Sequence, residues 1–321
     1  SSMISGAHEY ILVYTKSPEQ KPIGLLPRTA EADSRYKNPD NDPRGNWKAI
    51  PMYAKGESRS GRYEITSPSG KKFSPEPDTH WRYNQSVVEN LIKENRIYFG
   101  KNGNGQPNLK RFLSEVQQGM KVKSLWKFGE VGSNDSAKTE IRAIFGPNSP
   151  FDFPKPVTLI KRILQLSQNK EITFLDFFAG SGTSAQAVLS LNKEDGGHRS
   201  FILCTDNENN IATDVCYPRV SKVIRGYKNF EGEKIVGLGG NLKYYKTDFV
   251  EAEPTDKNKR KLVKESIDML CILENAFEFI QETPEFKIFK NTDKYVGVIF
   301  YEEAIEDYKK AIKKIDGHFN T

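Results

Sequence analysis

Residues 174–183 read Phe-Leu-Asp-Phe-Phe-Ala-Gly-Ser-Gly-Thr, and they constrain the fold more than any other stretch of the chain. The apolar run 172–175 ends on Asp176. Gly180 and Gly182 then supply a tight turn, and residues 183–189 have helical spacing with small residues on the first turn. A strand, a glycine loop and a helix N-terminus in that order let backbone approach a bound cofactor closely. A dinucleotide site wants a third glycine near position 185, where Ala185 stands. A phosphate-cradling loop wants Gly-Lys-Ser/Thr, and no lysine follows Gly182.

Charge divides the chain. The net charge is +6 over 321 residues, yet residues 15–123 alone carry 20 Lys/Arg against 12 Asp/Glu. One region therefore holds all of the basic excess, the electrostatic footprint of a phosphate-binding surface. No run of 18 apolar residues exists, so no transmembrane helix is expected. The first residues lack the basic and apolar blocks of a secretory signal. Three cysteines, Cys204, Cys216 and Cys271, and four scattered histidines show no metal-ligand spacing. A reduced, cytoplasmic protein without a structural metal is expected.

The punctuation of the chain predicts its parts. Tyr10-Ile11-Leu12-Val13-Tyr14 reads as a strand. From 15 to 123 the text is rich in Pro, Gly, Asn and Ser, with a short strand at 63–66 and a turn at 67–70. A helix is expected over 86–95, a strand over 97–99, and a helix over 108–118 stopped by Gly119. From 124 onward helices at 136–145, 157–168, 183–191 and 211–225 alternate with strands ending at Asp176 and Thr205, which argues a parallel sheet. Ser133 or Asn134 is positioned to cap the first of these helices. After a charged linker at 251–261, a helix over 262–282, a strand over 295–301 and a helix over 304–315 are expected.

The glycine segment has the form Asp-x-Phe-x-Gly-x-Gly-Thr, which resembles the first motif of S-adenosylmethionine (AdoMet) methyltransferases. The chemistry agrees: AdoMet is cationic at sulfur and carries an ammonium, so a carboxylate at the strand end is welcome, and it has no pyrophosphate. Upstream, Phe151-Asp152-Phe153-Pro154-Lys155-Pro156 opens a helix and resembles the AdoMet-pocket motif of amino-methyltransferases whose catalytic half comes first. Downstream, Thr205-Asp206-Asn207-Glu208 ends the second strand, where an acidic group accepts hydrogen bonds from ribose hydroxyls. Either Asp206 or Glu208 fits that task. In the basic region, the loop 36–47 mixes Lys37, Arg44, Asn46 and Trp47 between prolines. Such side chains read base edges or fill gaps left by displaced bases.

These blocks, with His8-Glu9-Tyr10-Ile11-Leu12-Val13-Tyr14, the stretch 126–134 and Asn192-Lys193-Glu194-Asp195-Gly196-Gly197, occur in the order found in the Mod subunit of type III restriction–modification systems. The whole chain resembles that family of adenine-N6 DNA methyltransferases of the β order. The resemblance implies an α/β fold: a partial Rossmann-like methyltransferase core with an inserted α+β target-recognition domain and a small C-terminal α+β domain. It implies the last strand of the catalytic half at 1–14, target recognition at 15–123, the AdoMet core at 124–250, and dimer or restriction-subunit contacts at 251–321. AdoMet would be held by Asp176, Phe178, Ala179, Gly180, Ser181, Gly182 and Thr183, with Phe153, Lys155, Asp206 and Glu208. DNA would be held by Arg44, Asn46, Trp47, Lys48, Lys71 and Lys72. The expected partners are double-stranded DNA, a second Mod copy and an ATP-dependent Res subunit. One departure stands out: the catalytic Asp/Asn-Pro-Pro-Tyr/Phe tetrapeptide is absent, since Asp42-Pro43-Arg44 and Tyr217-Pro218-Arg219 do not match it. The resemblance therefore places that motif upstream of Ser1 and implies that this chain alone transfers no methyl group. The competing readings are a non-catalytic DNA-recognition chain and an orphan adenine methyltransferase without a restriction partner.

Overall fold

The computed structural model describes residues 8–20, 23–291 and 294–320. They fall into two compact units, Ser1–Leu242 and Lys243–Thr321, so the division comes ahead of the expected step at 250–251.

Among the described residues the expected strand at 10–14 does not form, and Tyr10 and Tyr14 are 82% and 83% exposed. A strand persists only when a neighbour takes its backbone N–H and C=O groups, and no described residue does so here. The expected 1–14 segment also includes residues 1–7, which lie outside the described residues.

The basic region is an irregular α+β assembly. A short helix α1 (Ala30–Ser34) is capped by Thr29. Strand β1 (Trp47–Pro51) leads to β2 (Tyr53–Lys55), β3 (Ile65–Thr66), β4 (Lys72–Phe73) and β5 (Thr79–Trp81). Helix α2 (Gln85–Lys93) precedes β6 (Ile97–Tyr98) and β7 (Asn108–Phe112). The strands form a three-stranded antiparallel sheet, β1-β7-β6, and the pairs β2-β5 and β3-β4. The expected turn closes β3 onto β4, with Gly70 at φ 85° donating to the Ser67 carbonyl at 2.9 Å. Met52, Ile65, Phe73, Trp81, Val88, Ile97 and Phe99 make one apolar core.

The helix expected over 108–118 is absent: β7 stands there, followed by a single 3-10 turn at Leu113–Glu115. Lys110 and Phe112 point inward and Arg111 outward. A buried lysine breaks the apolar alternation by which a strand is recognised from sequence.

The expected α/β run follows. Helices α3 (Phe128–Val131), α4 (Asn134–Phe145) and α5 (Val157–Leu166) precede β8 (Thr173–Asp176). Ser133 caps α4 in a capping box with Ser136. Helix α6 (Thr183–Asp195) crosses from β8 to β9 (Ser200–Leu203), and the two strands pair in parallel with Asp176 opposite Leu203. Val157 and Leu164 of α5 meet Ala187, Val188 and Leu191 of α6 in the core beneath them. The 211–225 segment is wound as a π-helical stretch, Ile211–Cys216, and then as α7 (Tyr217–Arg225). Pro218 falls in the first turn of α7, directly after the π-helical stretch. The antiparallel pair β10 (Gly226–Lys228) and β11 (Lys234–Val236) ends this part.

The second unit holds α8 (Asp256–Glu265), α9 (Ile267–Glu274), β12 (Glu278–Glu282), β13 (Phe286–Lys290), β14 (Tyr295–Ile299), α10 (Ile305–Ile312) and β15 (Phe319–Asn320). Its sheet runs β12-β13-β14-β15, with the last pair parallel. The helix expected over 262–282 ends early, because Asn275 takes a left-handed conformation at φ 50° and the chain returns as β12. Among the described residues no helix is long and apolar enough to cross a membrane.

Candidate functional site

At the end of β8, the Asp176 carboxylate braces the loop from within. Its Oδ1 accepts the Phe178 N–H at 3.0 Å and its Oδ2 accepts the Ser184 hydroxyl on the first turn of α6. Backbone bonds fasten the loop to β9: Cys204 N–H donates to the Asp176 carbonyl at 2.8 Å, and Ala179 N–H donates to the Cys204 carbonyl at 3.1 Å. Gly180 and Gly182 sit at φ 50° and 76°, where side chains are strained. A Cβ on Gly182 would also meet Val220 Cγ2 at 3.0 Å and Cys216 Sγ at 3.1 Å. A Cβ on Gly180 would meet Phe151 Cζ at 3.0 Å.

Beneath the loop lies a residue the sequence reading missed. Arg219 on α7 is fully buried. Its guanidinium donates to Ser181 Oγ at 2.7 Å, to Thr183 Oγ1 at 2.8 Å and twice to Gln186 Oε1 at 3.1 and 2.9 Å. Loss of hydration pulls its pKa down to about 10, and the nearby Glu140 carboxylate opposes that shift. Burial in turn raises the pKa of Glu140, which accepts the Val157 N–H at 3.2 Å. Its acceptors lie more than 30 residues away along the chain, so the local sequence Tyr217-Pro218-Arg219 carries no sign of this role.

The remaining cofactor candidates divide. Phe178 is 93% exposed at the tip of the loop. Asp206 is exposed past the end of β9, where its Oδ1 accepts only the Glu208 N–H at 3.3 Å. Asn207 performs the capping, its Oδ1 accepting the N–H groups of Ala212 and Thr213 at 3.0 and 3.1 Å, which leaves Asp206 and the exposed Glu208 without that duty. Asp176, residues 178–183 and Asp206 thus share the C-terminal edge of the parallel pair. Phe153 is exposed beneath Lys138, whose Nζ lies 5.7 Å from the ring centre, and Phe151 is the aromatic nearest Gly180. Lys155 is engaged by Glu9, with Nζ–Oε distances of 2.7 and 2.8 Å.

The basic region needs a larger revision. Arg44 donates to both oxygens of Asp42 at 2.8 and 2.7 Å and to the carbonyls of Glu94 and Asn95 at 3.1 and 3.0 Å. It also stacks 4.4 Å from the centre of the Phe112 ring. Asp42 is buried with Lys110, whose Nζ lies 2.9 Å from its Oδ2, and the two cations hold its carboxyl far below the usual carboxylate range. Trp47 is buried, donates its indole N–H to Asp40 at 2.9 Å and packs on Tyr98. Arg44 and Trp47 therefore lock the loop rather than standing free at its surface. Asn46 is exposed, with its carbonyl accepting the Leu113 N–H. Lys48 lies on β1, half-buried. Lys71 donates to the Asn104 carbonyl at 3.2 Å, and Lys72 pairs with Glu64 at 2.9 Å.

Residues 2–215 match the DNA methylase family. Over 233 residues the chain is 38% identical to the type III restriction-modification enzyme StyLTI Mod subunit of Salmonella typhimurium, covering 70% of this chain and 34% of that protein. It is 31% identical to the type III EcoPI Mod subunit of Escherichia phage P1, over 64% of this chain and 35% of that one. It is 29% identical to the type II methyltransferase M.KpnI of Klebsiella pneumoniae, over 67% of this chain and 54% of that one. The match thus spans about a third of either Mod subunit and about half of M.KpnI.

Proposed function

This chain belongs to the DNA methylase family, and from that membership we propose that it serves the transfer of a methyl group from AdoMet to adenine N6 in double-stranded DNA, as the modification subunit of a type III restriction–modification system. The observation that carries the reading is the Asp176-braced glycine loop at the C-terminal edge of the parallel pair β8–β9. Ligands of open α/β sheets bind outside the carboxyl ends of the strands.

The donor set suits AdoMet. Asp206 and Glu208 offer exposed carboxylates for ribose hydroxyls, Phe178 and Phe153 offer exposed rings to a cationic ligand, and residues 179–183 offer backbone at close range. When bound, AdoMet supplies the electrophilic methyl group. Asp176 holds the loop in the receiving shape, and Arg219 fixes Ser181 and Thr183 from below. Adenine N6 within a duplex is out of reach of such a site, so the target base has to leave the stack. Residues 15–123 then take the DNA and residues 124–242 the cofactor. Residues 243–321 are assigned to contacts with a second copy or a restriction subunit.

Titration calorimetry with AdoMet tests the reading. Asp206→Ala should weaken binding about tenfold, the worth of a hydrogen bond to a charged group, without changing the melting temperature. Asp176→Ala should lose both affinity and stability, since its carboxylate holds two loop donors. Unchanged AdoMet affinity in both variants would refute the cofactor assignment.

A further inference from the structure

Two cations in the basic region face each other across the sheet with no carboxylate between them. Lys48 on β1 is the direct partner of Arg111 on β7, so both side chains leave the same face. Like charges in that position destabilise an antiparallel pair, and among the described residues neither side chain has an ion pair. Their neighbours are neutralised: Arg44 and Lys110 by Asp42 together with Asp40, Arg96 by Glu115, Arg28 by Asp33. Arg111 also lines a cleft of about 440 Å³ with Arg28, Tyr36, Glu115, Val116, Gln117 and Gly119. The one acid there, Glu115, is held in a two-point pair with Arg96 at 2.9 and 2.7 Å, which lowers its pKa and removes it as a partner for Arg111. Arg28 stacks 5.5 Å from the centre of the Tyr36 ring and is fixed there by Asp33. Paired backbone bonds between Leu26 and Met120, at 2.9 and 2.8 Å, tie the two segments that border the cleft.

From this juxtaposition we infer that the cleft lined by Arg111, with Lys48 opposite that residue in the sheet, is a seat for the DNA phosphodiester backbone, and that these two residues, rather than Arg44, carry the electrostatic grip of the region. The inference rests on the DNA reading above and deepens it. An anion between Lys48 and Arg111 relieves their repulsion. A phosphodiester can enter an open cleft that Arg28 and Tyr36 also line. Contacts of this kind hold the duplex and its register while carrying no sequence information.

The test uses the full chain and a labelled duplex, with fluorescence anisotropy over a series of salt concentrations. Lys48→Gln/Arg111→Gln should bind about tenfold or more weakly, on any sequence, with a log–log salt slope smaller by about two. Lys48→Arg/Arg111→Lys should keep the parent slope, and Lys257→Gln/Lys259→Gln on α8 should change nothing. Without DNA, the Gln variant should melt at the parent temperature or above it, because a repulsion has been removed. A parent-like slope in the Gln variant overturns the inference. So does a lowered melting temperature, which would mean that the pair serves the sheet. No duplex binding by the parent chain would overturn the DNA reading itself, a result distinct from either.

Discussion

Nη1 of Arg219 lies 2.7 Å from Ser181 Oγ, so a guanidinium wholly removed from water supports the underside of the glycine loop. Burying a charge is costly unless its donors find acceptors, and here the loop hydroxyls and Gln186 provide them. The dependence runs both ways: Ser181 and Thr183 are themselves buried, and beyond the 3.3 Å contact between their own hydroxyls each accepts a hydrogen bond from Arg219.

Arg219→Met should therefore cost about 3 kcal/mol in urea unfolding, since buried polar atoms at Ser181, Thr183 and Gln186 lose a donor. Arg219→Lys should recover only part of this, because one ammonium cannot reproduce a planar fork that reaches three side chains. Full stability in the lysine variant would show that charge alone is required.

A second dependence is centred on Asp42, buried between Arg44 and Lys110. Its folded pKa lies below its unfolded value, chiefly because Arg44 hydrogen-bonds the ionised form. At acid pH the unfolded chain binds the proton more readily. The stabilisation is thus present above the unfolded pKa, about 3.9, and is lost as pH falls below it. Asp42→Asn should flatten that part of the stability profile. Arg44→Ala should lower the melting temperature in the absence of DNA, and an unchanged melting temperature would return Arg44 to the list of base-reading residues.

The α/β part was legible in the sequence because its signals are local. Asp176, two glycines and small residues at helical spacing specify strand, loop and helix within a few positions of one another. What escaped were polar residues with interior duties. Lys110 looked like a helix surface because nothing near it in sequence reveals that Asp42 lies against it. Arg219 gives no local sign of its burial because its acceptors are distant along the chain. Trp47 looked like a hand for displaced bases, yet its indole N–H had a private partner in Asp40. In the second unit, Asn275 ended a helix through a left-handed turn that apolar periodicity does not register. Lys110 and Arg219 take their partners from far along the chain and Trp47 takes its partner across a folded loop, and none of these pairings leaves a mark on the local sequence pattern.

The cysteines offer an independent check on packing around the loop. Cys216 lies beneath Gly182, and burial pushes its thiol pKa up to about 11. Cys271 is also buried and raised, whereas Cys204 is exposed. Thiolate, not thiol, is the nucleophile. Iodoacetamide on the native protein should modify Cys204 first, as read by peptide mass mapping. Modification of Cys216 and Cys271 should wait for unfolding. Equal rates at Cys204 and Cys216 would contradict the packing of the Ile211–Cys216 stretch against the loop.

The two glycines that bracket α6 separate backbone strain from crowding. Gly182 and Gly196 both occupy the left-handed region, at φ 76° and 67°. A methyl group on Gly196 meets nothing within 4 Å, so Gly196→Ala should cost only the conformational penalty, about 1 kcal/mol. A methyl group on Gly182 carries the same penalty and also presses on Val220 Cγ2 and Cys216 Sγ at 3.0 and 3.1 Å. Both neighbours belong to packed helical turns that hold Arg219 in place, so relief by movement would disturb the hydrogen bonds to Ser181 and Thr183. Gly182→Ala should then cost about 3 kcal/mol and weaken AdoMet binding, while Gly196→Ala leaves binding intact. Equal losses of stability in urea unfolding would mean that crowding under the loop is absent, and that Gly182 is required by backbone conformation alone.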